Sequence, residues 1–205
     1  ACLPAARRGS VLDTLRRVYR ALPLDHRTRA RVRSVLRRIA RLTNPWRSGA
    51  YGAPDPEILA PRDPGRPDYL LFSLIDWHFR IQRPQHLARE LAAAGHRCFY
   101  VSSELIEHPR PGFRVEDLGG EGRLFQVRLH GSGSPSIYFS TPSRKIGVQL
   151  AAGLRDLLEW AQVTQVVLLV QHPFWLSIAR SVPREGVRSK LVYDCMDYHD
   201  GFDTF

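Results

Sequence analysis

Short apolar runs alternate with longer amphipathic stretches from about residue 69 to the end of the chain. The apolar runs predict β-strands at 69–74, 98–102, 123–129, 136–140, 165–171 and 190–197. Between them, apolar residues at helical spacing predict helices at about 84–94, 145–161 and 174–181. Repeated alternation of strand and helix is typical of the α/β class, so we expect a doubly wound parallel sheet.

Two of these elements carry additional signals. In the helix at 84–94, Pro84 suits the first helical position and Gly95 lies where a C-terminal cap belongs. The run "VVLLV" at 166–170 contains no polar residue, which is typical of a strand in the middle of a parallel sheet. Such runs are far too short to span a bilayer.

The N-terminal part of the chain has a different composition. Residues 1–50 contain 13 arginines against Asp13 and Asp25, whereas the rest holds 17 Lys and Arg against 18 Asp and Glu. The leader either packs on a neighbouring domain or lies on an anionic membrane surface. It lacks the basic-aromatic pattern of nucleic-acid binders, so no nucleic acid partner is expected. We expect an Arg-rich amphipathic helical leader at 1–43, a Pro/Gly-rich linker at 44–67 and a folded domain at 68–205.

The cysteines and the chain ends suggest a location and an extent. Cys2, Cys98 and Cys195 form no close-spaced pair, and the last two lie in apolar runs where buried thiols are ordinary. This favours a reducing, cytoplasmic location. Because the chain begins with Ala1 and stops at Phe205 in mid-pattern, we expect a fragment of a longer protein.

Polar side chains crowd the segment after the first predicted strand, within "LLFSLIDWHFRIQRPQHLARELAAAGHRCFYVS" at 70–102. In open α/β sheets, ligands bind beyond the carboxyl ends of the strands. Arg80 and Arg83 precede a helix, whose free N–H groups favour an anion. Alternatively, Arg83 and Asp76 merely pair to clamp the loop. The candidate ligand-binding residues are Asp76, Trp77, His78, Arg80, Gln82, Arg83 and Gln85.

Two later strand ends add candidates. His172 follows the strand at 165–171, and "DCMDYHD" at 194–200 supplies Asp194, Asp197 and His199. Carboxylates and imidazole act as bases or hydrogen-bond hydroxyl groups. A metal site is a weaker hypothesis, because the spacing matches no zinc or calcium pattern. Nicotinamide cofactors and ATP hydrolysis are disfavoured, because the loop lacks the glycines of a dinucleotide fingerprint or a Walker loop.

Two of these segments resemble family motifs. The Trp-x-x-Arg-x-Gln-Arg-Pro-Gln loop at 77–85 and the Tyr-Asp-x-x-Asp segment at 193–197 resemble the N-terminal half of bacterial group 1-type glycosyltransferases of the GT-B fold. The resemblance covers about residues 68–205 and implies a Rossmann-like domain. It also implies sugar transfer from a nucleotide-sugar donor to a glycan or lipid-linked acceptor in cell-surface polysaccharide synthesis, generally without a bound metal or other cofactor.

The resemblance also implies roles for the candidate residues. Asp197 or His199 would be the base for the acceptor hydroxyl. Arg80 and Arg83 would face phosphate or anionic acceptor groups, and Trp77 would offer a surface on which a sugar stacks. Further substrate contacts would come from Asp76, His78, Gln82, Gln85, His172 and Asp194. In that fold the C-terminal domain grips the nucleotide, so we expect the 205 residues alone to be inactive.

Two other functions stay open. A non-catalytic module that binds a glycan or a membrane surface would make the Arg-rich leader the functional part, at the inner face of the cell membrane. A metal-dependent hydrolase would be built on the carboxylates and histidine of residues 194–200.

Overall fold

The computed structural model describes residues 55–133, 136–138, 140–182 and 185–195. The predicted leader and residues 44–54 of the predicted linker lie outside these ranges, as do residues 196–205. The end of the predicted linker lies against the folded domain. Ala60 is buried and its N–H donates to the Gly122 carbonyl at 2.8 Å, while Gln165 Nε2 donates to the Pro64 carbonyl at 2.7 Å.

The described residues contain six strands and three α-helices. The strands are β1 (Asp68–Phe72), β2 (Cys98–Val101), β3 (Phe113–Asp117), β4 (Leu124–Leu129), β5 (Gln165–Val170) and β6 (Arg188–Tyr193). The helices are α1 (Arg83–Ala93), α2 (Arg144–Trp160) and α3 (Leu176–Ser181), and short 3-10 turns occur at Pro56–Ile58 and Pro173–Trp175. None of the helices in this part of the chain is long and apolar enough to cross a membrane.

The strands form one sheet in the order β3-β4-β2-β1-β5-β6. Every neighbouring pair is parallel except β3 and β4, which are antiparallel. Leu70 in β1 lies between Phe99 of β2 and Leu168 of β5, so β1 is central. Counting only the five parallel strands, the order is that of a Rossmann-like fold, and it reverses between β1 and β5. The predicted α/β parallel sheet is therefore confirmed.

Both faces of the sheet carry helices. Ala88 and Ala92 of α1 pack with Leu71, Tyr100 and Leu124 on one face. The other face holds the larger core, in which α2 and α3 cover the strands. Its members include Phe72, Phe99, Phe125, Val170, Leu150, Leu154, Leu157 and Ile178. Each such side chain contributes roughly 1.5–3 kcal/mol when fully buried, so this face supplies most of the apolar stabilisation.

The end of α1 confirms the predicted cap. Gly95 has a φ of 92°, a left-handed conformation that residues with a Cβ rarely adopt. Its N–H donates to the Ala92 carbonyl at 2.9 Å and the N–H of His96 donates to the Leu91 carbonyl at 3.1 Å, which is a Schellman motif. The helix begins at Arg83, so Pro84 occupies its second position, where its missing N–H is harmless.

The connection between β2 and β4 differs from the prediction. It is made by the antiparallel strand β3, which the sequence prediction missed although Phe113 and Val115 alternate with polar residues. The predicted strand at 136–140 is wrong: among its described residues, only Ser136 makes a single isolated bridge, to Glu104. Ile137 is buried as one side chain of a loop, which explains the apolar run without a strand.

Candidate functional site

Polar residues meet at the carboxyl ends of β1, β5 and β6, beside the point where the strand order reverses. Residues 73–82, here called the β1 loop, lead from β1 to α1. The fully buried Trp175 ties the segment after β5 to this loop, because its indole N–H donates to the Ser73 carbonyl at 2.9 Å. The predicted meeting of the strand ends at one sheet edge is thus confirmed for the described residues.

Asp76 anchors the β1 loop to the sheet. One carboxylate oxygen accepts hydrogen bonds from Ser102 Oγ at 3.0 Å, Gln126 Nε2 at 2.6 Å and Arg128 Nη2 at 2.7 Å. The other accepts from the His78 backbone N–H at 3.0 Å. The side chain is buried, so these donors replace the water that its carboxyl oxygens would otherwise bind. Asp76 therefore positions the loop.

Gln85 holds the loop from its other end. Its side chain is fully buried in the first turn of α1. Its Oε1 accepts from the Gln82 N–H at 3.0 Å, and its Nε2 donates to the Arg80 carbonyl at 2.7 Å and the Trp77 carbonyl at 3.4 Å. These bonds engage both the oxygen and the nitrogen of the Gln85 amide, so Gln85 fixes the conformation of the loop.

The ring of Trp77 is packed within the domain. It meets Tyr100 edge-on with ring centroids 5.0 Å apart, and the Arg89 guanidinium carbon lies 5.2 Å from its centre. The Tyr100 hydroxyl donates to the Ile75 carbonyl at 3.0 Å, which fixes the loop beside this pair. Trp77 is half-buried, so part of its surface stays accessible.

Arg83, Asp194 and Gln171 form a connected chain at the site, here called the Arg83–Asp194–Gln171 chain. Arg83 Nη2 lies 2.8 Å from Asp194 Oδ1, and Gln171 Nε2 donates to Asp194 Oδ2 at 3.1 Å. Asp194 is itself fixed because its backbone N–H donates to the Val170 carbonyl at 2.8 Å. The alternative that Arg83 pairs with Asp76 is wrong: Asp76 pairs with Arg128.

The sequence prediction did not include Gln171. This side chain is fully buried, and its Oε1 has no hydrogen-bond partner among the described residues. Its position directly after the apolar run of β5 was the available signal, since the first polar residue beyond a buried strand lies at the ligand edge of the sheet.

His78 reaches away from the Arg83–Asp194–Gln171 chain to β3. Its Nε2 lies 2.9 Å from both carboxylate oxygens of Glu116. This hydrogen bond with Glu116 is the main cause that raises the pKa of His78 above its ordinary value, against a smaller opposing effect of burial. Glu116 therefore holds the His78 ring on the exposed side of the loop and favours its protonated form.

The remaining predicted residues differ in exposure. Arg80 is exposed, with its guanidinium carbon 5.8 Å from the Phe79 ring centre and the Gln82 amide against it. His172 is buried, and its Nδ1 accepts from the Phe174 N–H at 3.3 Å. Asp197 and His199 lie outside the described residues.

The cysteine and metal hypotheses have separate outcomes. Cys98 is buried, as expected, and burial raises the pKa of its thiol to about 12. Cys195 is exposed, so its predicted burial is wrong: it lies beyond the end of β6, at the sheet edge. Within the described ranges, no three His, Cys, Asp or Glu side chains are placed to hold a metal ion.

The chemistry available at this edge is that of hydrogen bonding to polar ligands. Asp194 keeps lone pairs beyond its two hydrogen bonds, and the Arg83 side chain, 59% exposed, keeps free donors.

The chain matches no protein-family model, no curated protein and no solved structure in the three comparisons with known proteins.

Proposed function

We propose that this chain is the acceptor-side part of a glycosyltransferase that moves a sugar from a nucleotide-sugar donor to a glycan or lipid-linked acceptor in cell-surface polysaccharide synthesis. The observation that carries the proposal is the Arg83–Asp194–Gln171 chain, which lies where the order of the parallel strands reverses. Ligands of open α/β sheets bind at this point. The loop motif at residues 77–85, which resembles that of such enzymes, supports the same assignment.

The donors and acceptors suit a hydroxyl-rich, partly anionic ligand. Asp194 accepts hydrogen bonds from sugar hydroxyl groups while Gln171 and Arg83 hold its carboxylate in place. The remaining N–H groups of Arg83 make charge-assisted bonds to a phosphate or a carboxylate. Gln171 Oε1, which has no hydrogen-bond partner among the described residues, is the acceptor assigned to a further ligand hydroxyl.

The base for the acceptor hydroxyl is assigned to Asp197 or His199. Asp197 follows Asp194 by three residues, and three residues span at most about 10 Å. The assignment rests on the resemblance of residues 193–197 to the family motif. A positioned carboxylate or imidazole that takes a proton contributes typically 10²–10⁴-fold to a rate, so loss of the correct base is readily measured.

Amide NMR of the isotope-labelled 205-residue chain tests the site. Nucleotide sugars, neutral oligosaccharides and a short-chain lipid phosphate are titrated separately, and we expect saccharide-dependent shifts at Arg83, Gln171 and Asp194. Gln162, on the surface after α2, serves as a remote reference. Shifts at these residues, with no sugar transfer by the longest natural protein that contains the chain, would identify a glycan-binding module instead. Shifts confined to other surfaces would overturn the proposal.

A further inference from the structure

The β1 loop holds two large apolar side chains in solvent. Phe79 is 58% exposed and Ile81 is 59% exposed, and Arg80 lies between them. Scattered exposed apolar residues are ordinary on a protein surface, but two at one loop tip form a local patch. Val148 on α2 is more exposed, at 64%, and lies in a different element.

The loop backbone enforces this exposure. Asp76 accepts four hydrogen bonds on one side of the tip and Gln85 makes three on the other. The Phe79 N–H also donates to the Asp76 carbonyl at 3.1 Å, which closes a turn directly at the tip. A braced loop cannot fold its apolar side chains back onto the core without breaking buried polar contacts. The side chains of Phe79 and Ile81 are therefore held in solvent.

The positive charge at the tip comes from Arg80. It is exposed between Phe79 and Ile81 and makes no ion pair among the described residues, whereas Arg83 and His78 are paired with Asp194 and Glu116. A partner that covers this patch must accept apolar side chains and supply negative charge. A bilayer with anionic headgroups does both, since its headgroups attract arginine and its acyl boundary accepts aromatic and aliphatic groups.

We propose that the Phe79–Ile81 tip inserts into the surface of an anionic lipid bilayer, with Arg80 at the headgroup phosphates. The long arginine stem lies along the apolar boundary while its guanidinium stays in the wet headgroup layer. This contact is separate from the one expected of the leader at 1–43, and it does not depend on sugar transfer. It places the carboxyl edge of the sheet towards the membrane.

Vesicle partitioning of the 205-residue chain tests the contact. The double variant Phe79→Ser/Ile81→Ser is compared with Val148→Ser, which removes a single, slightly more exposed apolar side chain from α2. With vesicles of phosphatidylcholine and phosphatidylglycerol at about 0.5 M salt, exposed charges are strongly screened. There we expect the double variant to lower the partition coefficient at least about tenfold and Val148→Ser to change it by less than about twofold.

A second readout separates the tip from the leader. Ile81→Trp and Val148→Trp each add one indole to the four native tryptophans. Brominated lipids quench a membrane-inserted indole, so we expect additional quenching for Ile81→Trp and none for Val148→Trp. Thermal melts confirm that each variant is folded.

Three results would overturn the proposal: unchanged partitioning of the folded double variant, an equal loss in Val148→Ser, or no additional quenching at position 81. A change in self-association of the double variant without a change in vesicle binding would identify a protein contact instead, which also overturns it.

Discussion

Asp76 and His130 are both buried side chains of titratable type, but they differ in their hydrogen bonding. Asp76 receives four hydrogen-bond donors, including the Arg128 guanidinium. His130, directly after β4, is 5% exposed, and neither ring nitrogen has a hydrogen-bond partner among the described residues. Its ring centroid lies 4.6 Å from that of His108. Burial, His108 and then Arg114 lower the pKa of His130 to about 4.

The difference shows what a buried polar group does for a structure. Asp76 accepts hydrogen bonds from four donors, so it fixes the β1 loop and, through that loop, the strand-end site. Burial and the neighbouring His108 and Arg114 disfavour the protonated form of His130, against a smaller opposing effect of the Arg110 backbone. The first residue positions a site, whereas the second makes stability depend on pH. The following predictions test that contrast.

The largest effect is expected for Asp76→Ala. Removal of one partner leaves the Arg128 guanidinium partly buried and uncompensated, which costs about 3–5 kcal/mol in the free energy of unfolding. Urea denaturation measures the loss. The matched control is Asp156→Ala, because Asp156 is exposed on α2 and should change stability by about 0.5 kcal/mol or less. A loss below about 1 kcal/mol for Asp76→Ala would contradict its anchoring role.

His130 should produce the next largest effect, as a dependence of stability on pH. Its pKa is lower in the folded state than in the unfolded state, where it is near 6.5, so the unfolded state binds the proton first. The contribution of His130 to the free energy of unfolding is therefore fully present above about pH 6.5. It is lost as the pH falls towards 4, by roughly 2–3 kcal/mol.

The variant His130→Leu separates the contribution of His130 to the pH dependence of stability from that of the other histidines. An apolar side chain in the same site leaves no unpaired nitrogen, so we expect little change at pH 8 and a flatter fall between pH 6.5 and 4. Urea denaturation at several pH values measures both curves. Parallel curves for the two proteins would show that His130 does not carry the pH dependence.

The smallest effect concerns His78, whose pKa shifts in the opposite direction to that of His130. The pair with Glu116 stabilises the folded state below the unfolded pKa of 6.5, and this stabilisation is lost as the pH rises through the raised folded value. The pair is half-exposed, so it contributes about 1 kcal/mol or less. NMR titration of the His78 ring should give a pKa above 6.5 that falls in Glu116→Gln. An unchanged pKa in that variant would remove Glu116 as the cause.

Local features were predictable from the sequence, and long-range partners were not. Gly95 and the apolar run of β5 identify a helix end and a buried strand, because capping and burial depend on neighbouring residues. The pairs Asp76–Arg128 and Arg83–Asp194 join residues 52 and 111 positions apart. Such pairs depend on strand order and register, which spacing along the chain does not specify. The sequence therefore indicates the polar loop. It does not indicate which side chains of the loop anchor it and which are exposed.

Apolar runs also give an incomplete account of the sheet. The sequence "FRVED" of β3 alternates between buried and partly exposed residues, which is the signal of an edge strand with one covered face. A strand of this kind contains no continuous apolar run, so the apolar runs alone do not predict it. The run at 136–140 wrongly predicts a strand, since a buried Ile137 in a loop gives the same local composition.

The most direct test is a double-mutant cycle on Arg83 and Asp194, read by sugar transfer in the longest natural protein that contains this chain. The central claim is that these two residues act together in a ligand site at the strand ends. Their pair is exposed on the arginine side, so Arg83→Ala, Asp194→Asn and the double variant should each lose about 1 kcal/mol or less of stability.

Turnover should fall at least about tenfold in each single variant, and the double variant should be little worse than either, because the two act as a unit. Arg83→Lys keeps the charge but loses the planar fork, so it should also be impaired. Wild-type turnover in a folded Arg83→Ala variant would contradict the claim.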